Sequence, residues 1–293
     1  MELQQMRYVV AVAETANFTR AAERCHVVQS ALSHQIARLE GELGSRLFER
    51  TSRRVRLTAA GEAFLPAARQ ALEAAERARA EVAAAAGELR GRLAIGAITT
   101  VAAVDLPGAL GEFRRHHPRV HITLRSTTSE QLVEQVRDGV LDLAFLGVLP
   151  GFRPRGVRDH ELAQDELVAV VAPGHPLADE ERVDLRRLSR EVFVDFAAGT
   201  LARAQSEEAF AAAGLRREVA FEVSAVELLA RVVRNGLGIA MLPAAYARDL
   251  PGVRVLPVRD APLRVERLVW SRSRPSPAAA AFLTSLGLDP EAG

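Results

Sequence analysis

Between Ser30 and Leu43 the apolar side chains Leu32, Ile36, Leu39 and Leu43 recur at helical spacing, while the opposite face carries Ser30, Ser33, His34, Ala37 and Arg38. Such a helix docks on a core along one side and leaves a face of small, hydrogen-bonding groups open on the other. The flanking sequence supplies the core. Leu3, Met6, Val10 and Ala13 predict the apolar stripe of a first helix. Thr19 is expected to cap a short second helix, whose Ala21 and Ala22 let two helices cross closely. Cys25 to Val28 then form the turn into the third helix. Downstream, Arg54-Val55-Arg56-Leu57 alternates with period two, so a short strand would bury Val55 and Leu57 and present two arginines. Arg50 and Arg53 extend it into a basic hairpin.

A helix with that open face fits a DNA major groove, where hydrogen-bonding side chains reach base edges. Gln29, Ser30, Ser33, His34 and Arg38 are the candidate base contacts. Arg50, Arg53, Arg54 and Arg56 suit phosphate or a minor groove. Residues 2–61 resemble the winged helix-turn-helix of LysR-type transcriptional regulators. The matching residues are Phe18-Thr19-Arg20-Ala21-Ala22, Gln29, Ala31-Leu32-Ser33, Gln35-Ile36, Leu39-Glu40, Leu43-Gly44, Leu47-Phe48, Arg50, Leu57-Thr58 and Gly61. Ser30 departs from the pattern, standing where a proline is common.

Composition narrows the chemistry. Hydrophobic residues make up 48% of the 293, enough for a substantial core. The net charge is only +1, but residues 1–58 hold nine Arg against six Glu, a local +3. Affinity for DNA therefore depends on a clustered wing and on more than one copy. All 38 basic residues are arginine, which a GC-rich coding bias explains; a Schiff base, a Walker A lysine and a catalytic ammonium are excluded. The single cysteine, Cys25, rules out an internal disulfide and reads as a small buried thiol. The N-terminus shows no signal segment and no apolar run approaches membrane-spanning length, so a cytoplasmic location without membrane contact is expected.

From Thr58, a candidate N-cap, to about Ala86 the sequence reads as one helix, about 29 residues and roughly 43 Å long. Phe64, Leu65, Ala68, Ala71, Leu72, Ala75 and Ala78 form its apolar strip, Pro66 lies in its second turn, and Gly87 and Gly91 end it. A rod without its own core is expected to bury that strip against a second copy. Beyond Gly91 strand and helix alternate: strands at 92–98, 120–126 and 141–148, helices at 104–117 and 129–138. A second series has strands at 167–172, 193–196, 220–223 and 239–243 and helices at 201–213 and 225–235. A late strand, 263–271, and a helix, 277–286, return to the first sheet. This order predicts mainly parallel sheets with covering helices. The LysR-type resemblance extends over nearly the full length, on Leu93–Gly96, Leu141–Phe145, Ala172–Leu177 and Gly236–Pro243. It implies a fold of three parts. These are a winged helix-turn-helix (1–58), a linker and dimerisation helix (59–90) and a two-lobed α/β periplasmic-binding-protein-like effector domain (91–293). Lobe I would take 91–163 with 264–293, and lobe II 164–263.

Open α/β sheets bind ligands at strand carboxyl ends beside helix N-termini, which favour anions. Thr99 and Thr100 follow the first strand; Thr127, Thr128 and Ser129 follow the second. Gly147 ends the third, Phe196 and Thr200 mark the second lobe, and Ser224 stands at another strand-to-helix junction. Hydroxyls at such positions cap helices as readily as they bind ligands; as a converging set they predict a pocket for a small effector, with carboxylates as its candidate class. His116-His117 and His121 could suggest a metal, but the first two suit a helix C-terminus, so no metal or cofactor is expected. Asp179–Glu181 reads as a solvated turn.

The expectation is a non-enzymatic regulator that binds promoter DNA as a homodimer or tetramer and responds to a small molecule, with RNA polymerase a candidate partner. An enzyme fused to a DNA-binding arm lacks a converging Ser–His–Asp, metal or phosphate-loop pattern. A solute-binding transport protein would have an export signal and no use for the first ninety residues.

Overall fold

A computed structural model describes residues 1–50, 55–85 and 88–291, which divide into two compact units, Met1–Gly91 with Asp138–Val140, and Arg92–Arg137 with Leu141–Gly293. The first unit opens with α1 (Leu3–Thr15), α2 (Phe18–Arg24) and α3 (Gln29–Leu43), followed by β1 (Phe48–Arg50), β2 (Val55–Leu57) and the long α4 (Ala59–Ala85). Its core joins Tyr8, Val9, Ala11 and Val12 of α1 to Phe18, Ala21 and Ala22 of α2, to Leu32, Ile36 and Leu39 of α3, and to Leu47 and Phe48.

Three sequence expectations need correction here. The cap of α2 is Asn17, whose Oδ1 accepts from the N–H groups of Thr19 (2.8 Å) and Arg20 (3.0 Å). Thr19 lies inside the first turn, since the helix already starts at Phe18, which buries against Phe48 edge-to-face at 5.7 Å. The stripe of α1 holds only in part: Met6 is buried and Ala13 packs on the core, but Leu3 is 45% exposed and Val10 half-buried, while Tyr8, Val9, Ala11 and Val12 enter the core. Helix α1 is apolar on two sides because it packs on α2 and α3 and also on α4. The α4 side carries Arg7 and Glu14, paired with Glu76 (3.6 Å) and Arg69 (3.5 Å). Leu43, expected in the buried stripe of α3, is 40% exposed, because the helix ends there and Gly44 turns the chain away with φ +65°.

Thr58 does cap α4: its Oγ1 accepts from Gly61 N (3.0 Å) and donates to the Arg46 carbonyl (2.6 Å). The helix continues through Pro66. Its strip is divided in use. Phe64 packs on the helix-turn-helix core and Ala68 is fully buried, whereas Ala67, Ala74, Ala78 and Val82 face outward. The expected end of the rod at Ala86 and Gly87 lies outside the described residues.

In the second unit, β3 (Gly91–Ala97), α5 (Leu106–His116), β4 (Val120–Ser126), α6 (Ser129–Arg137) and β5 (Leu143–Val148) lead into a 15-residue strand, β6 (Val157–Val171). Then come α7 (Leu185–Leu188), β7 (Val192–Phe196), α8 (Leu201–Ala212), β8 (Glu218–Val223), α9 (Val226–Arg234), β9 (Ala240–Pro243), α10 (Ala244–Ala247), β10 (Arg254–Leu256), β11 (Leu263–Ser271) and α11 (Pro277–Ser285). The sheets are mixed rather than mainly parallel. Strands β3 and β5 are parallel, as are β7 and β8, but β11 runs antiparallel to both β5 and β6. The chain crosses between lobes twice, once within β6, which pairs with β11 up to Glu166 and from Leu167 onward with β9 and β10, and once just before β11. The Leu167 N–H donates to the Pro262 carbonyl (2.8 Å), fixing both crossovers side by side. Lobe I buries Ala94, Leu132, Val136, Ala144, Leu146 and Val269 in one core. Lobe II has two, one on each side of β6 and β9: Leu167, Ala169, Phe193 and Phe210 in the first, Val168, Val170, Leu229 and Val233 in the second.

Candidate functional site

Helix α3 is held along one side only. Leu32, Ile36 and Leu39 are fully buried, while Gln29, Ser30, His34, Ala37 and Arg38 are exposed and Ser33 is half-buried. The turn before it is closed by Cys25, His26 and Val27 N–H groups donating to the carbonyls of Ala21, Glu23 and Ala22, with His26 at φ 55°. Burial pushes the half-buried Cys25 thiol above its usual range, although Arg24 and Arg7 pull it down. Val28 occupies the N-cap without a side-chain acceptor, so the first-turn N–H groups of α3 stay open beside Gln29 and Ser30. Gln29 Nε2 donates to Ser33 Oγ (2.9 Å), which pre-orients both at this end. Arg38 sits further along, between Glu42 (3.5 Å) and Glu2 (3.9 Å).

The hairpin beside α3 pairs Phe48 with Leu57 and Arg50 with Val55. Arg56 is exposed, and opposite it stands Glu49. Glu40 anchors this element to α3: its Oε1 accepts from the N–H groups of Leu47 (2.7 Å) and Phe48 (3.2 Å). Sequence reasoning used Glu40 as a motif residue without giving it this role. Arg53 and Arg54 lie outside the described residues.

In the second unit a cleft of about 410 Å³ opens between the lobes. All nine effector candidates line it: Thr99, Thr100, Thr127, Thr128, Ser129 and Gly147 from lobe I, Phe196, Thr200 and Ser224 from lobe II. The ends of β3, β4, β7 and β8 and the N-termini of α6, α8 and α9 converge there. The hydroxyls divide by use. Ser129 Oγ bonds both the N–H and the carbonyl of Gly147 (3.2 Å each), and Ser126 Oγ donates to the Ala97 carbonyl (2.8 Å). Thr200 caps α8, and Thr127 is engaged by Gln131. The side chains of Thr99, Thr100 and Ser224 have no hydrogen-bond partner among the described residues.

Two models of known families match the chain. Residues 3–62 match the bacterial regulatory helix-turn-helix proteins of the lysR family, and residues 86–287 match the LysR substrate binding domain. The chain belongs to the LysR family. Among its relatives is the HTH-type transcriptional activator CmpR of Synechocystis, 32% identical over 266 residues, covering 89% of this chain and 86% of that protein. A full-length OxyR variant from Pseudomonas aeruginosa superposes with a TM-score of 0.77 at 30% identity, covering 100% of this chain and 96% of that one. Full-length CbnR, solved in complex with its target DNA, gives 0.69 at 27% identity over 98% and 99% of the two chains. The protein is thus a DNA-binding transcriptional regulator that acts through an effector-binding C-terminal domain.

Several residues of the regulator's cleft escaped the sequence reading. Leu167, Met241, Leu242 and Ile98 supply apolar wall. Gln205 is buried and donates from Nε2 to the Gly147 carbonyl (3.2 Å), tying α8 of lobe II to β5 of lobe I. Glu130 on α6 accepts from the Leu201 N–H, so its carboxylate occupies the N-terminus of α8. Arg264 was missed as well; it is 1% exposed on β11. Its alternation within a strand rich in arginine and glutamate gave no sign of burial. Behind the cleft wall, Asp195 pairs with Arg217 (2.6 Å), which also lies over the rings of Phe193 and Phe210. Burial pushes the Asp195 carboxyl upward, against the pull of Arg217.

The histidines sit apart from the cleft wall. His116 Nδ1 is 3.0 Å from the Glu112 carbonyl at the end of α5, and His117 lies 4.7 Å from the Phe113 ring. Among the described residues no group of three His, Cys, Asp or Glu could hold a metal ion, and no helix is long and apolar enough to cross a membrane.

Proposed function

We propose that the regulator binds promoter DNA as a homodimer, with dimers pairing into a tetramer, and that a small-molecule effector in the inter-lobe cleft shifts the balance between assembly geometries. Base contacts fall to Gln29, Ser30, Ser33, His34 and Arg38, and backbone contacts to Arg50, Arg53, Arg54 and Arg56. Their support is the exposed polar face of α3 and the hairpin held beside it by Glu40. Acting on promoter DNA places the protein in the cytoplasm, with RNA polymerase within reach. Its working segments are 1–58, 59–90 and 91–293, with lobe I at 91–163 plus 264–293 and lobe II at 164–263. The change of pairing partner along β6 supports that lobe division to within a few residues.

The observation that carries the effector reading is the convergence of three helix N-termini and the free hydroxyls of Thr99, Thr100 and Ser224 on one cleft. A ligand that touches both lobes prefers one lobe spacing, and that differential affinity is what transmits a signal. The test is selection of binding sites from a random duplex pool, followed by footprinting of the selected DNA at fixed salt. The expected result is a two-fold site with half-sites about 34 Å apart. Recovery of no preferred sequence would overturn the DNA assignment. Candidate metabolites are then added to the selected complex. Any footprint change they cause should vanish in Thr128→Trp, which fills the cleft, with protection itself retained; persistence of the change would overturn the cleft assignment.

A further inference from the structure

Val28 is 69% exposed and stands immediately before the polar face of α3, where Gln29, Ser30 and His34 are exposed too. It is the N-cap of that helix, at φ −74° and ψ 143°, and its carbonyl accepts from the Leu32 N–H (3.2 Å). The backbone leading to it is fixed. Three N–H bonds close the turn, with His26 held in the left-handed region at φ 55°. Val27 packs on the core that holds Leu32, an apolar pairing across the helix start that sets how the chain enters α3. Of two consecutive valines, one is thus drawn inside and the other is held out.

Valine suits neither of the roles that this position offers in the free protein. A helix start favours a side-chain oxygen that accepts from the first N–H groups, as Asn17, Thr58, Thr200 and Ser276 do elsewhere in this chain. A position open to water favours a polar or charged group. Nor can valine donate to a phosphate or to a base edge. A major groove, however, presents one apolar feature among its donors and acceptors, the C5-methyl of thymine, and apolar side chains read it by contact. Next to Val28, Gln29 is held along the helix by its Nε2 bond to Ser33 Oγ (2.9 Å), so the start of α3 offers an apolar corner beside a fixed polar pair. We propose that Val28 is a specificity-determining residue, packing on a thymine methyl at one fixed position of each half-site. This rests on α3 being the reading helix and adds an apolar contact to its polar ones.

The test uses the full-length protein and the duplex selected from the random pool, with each thymine of the half-site replaced in turn by uracil. Uracil keeps every hydrogen-bonding group of thymine and lacks only the methyl. At one position, wild-type affinity should fall by about fourfold for each half-site replaced, the loss expected when one methyl group is no longer buried. Val28→Ser should bind the thymine and uracil duplexes equally. Serine is a preferred N-cap, so this variant removes the apolar group without weakening the start of α3. A purely structural Val28 would change both affinities together and leave their ratio as in the wild type. A selected half-site in which no uracil replacement lowers affinity, or a penalty that persists undiminished in Val28→Ser, would overturn the assignment of Val28 and leave α3 as the reading helix. Recovery of no preferred sequence from the pool would instead overturn the reading role of α3, and this contact with it.

Discussion

His34 and Arg56 are both exposed, yet they should fail in different ways when removed. His34 is exposed on the open face of α3, and as a proposed base contact its contribution would depend on which base is there. His34→Ala is expected to cost about 1–3 kcal/mol at one operator position and to flatten preference at that position. Arg56 is exposed on the hairpin, and the partner proposed for it is phosphate or a minor groove. Arg56→Ala should weaken all sequences alike and reduce the slope of log affinity against log salt by about one. Titration of selected and scrambled duplexes at several salt concentrations separates the two, and a sequence-dependent loss in Arg56→Ala would reverse the assignment. Arg38 should contribute least among the proposed readers, because Glu42 and Glu2 compete for its guanidinium.

At the scale of elements, the two lobes touch across the cleft through helix α8. Glu130 on α6 accepts the Leu201 N–H, and Gln205 donates to the Gly147 carbonyl. Because a charge-assisted bond at a helix N-terminus is stronger than a neutral one, Glu130→Ala should loosen the first turn of α8 most. Hydrogen exchange at the Leu201 amide is expected to accelerate roughly tenfold or more, with the β3 and β5 amides unchanged. Equal protection in the variant would show that the Glu130 carboxylate does not hold the first turn of α8. Most elements of this domain were legible because their burial follows one period, as in the fully buried β5 and in α9 with Val226, Leu229, Ala230 and Val233 inside. The first half of β6 was not. Residues 157–166 are assigned no element by sequence pattern, because the charges that mask their strand pattern are answered only on the neighbouring strand, Asp159 and Glu161 both pairing with Arg267. The mixed sheet and Arg264 escaped for the same reason: strand pairing over a hundred residues of separation leaves no local signal. The cleft hydroxyls were legible because their cue, a strand end meeting a helix start, is local.

Over the whole molecule, the proposed mode of action depends on how copies of this chain associate, and the outward side of α4 carries that question. Phe64 and Ala68 are spent within the chain's own core. Among the residues that face out are Ala67, Ala74, Ala78 and Val82, spaced by seven and then four, which keeps them on one side of the helix. Val82 is 74% exposed, an unusual place for a β-branched apolar residue. A stripe of small residues allows close approach of a second α4, and Val82 would then be a knob at its end. Val82→Glu places a charge in that contact on each partner, and like charges brought together without a counter-ion oppose association. Sedimentation at micromolar protein should show the variant shifted toward monomer. Affinity for a two-half-site duplex should fall by about tenfold or more, while a single half-site is bound about as before, since each reading unit keeps its own core. If Val82→Glu sediments like the wild type, the dimer contact lies on another face, and the half-site spacing would have to be set by that face instead.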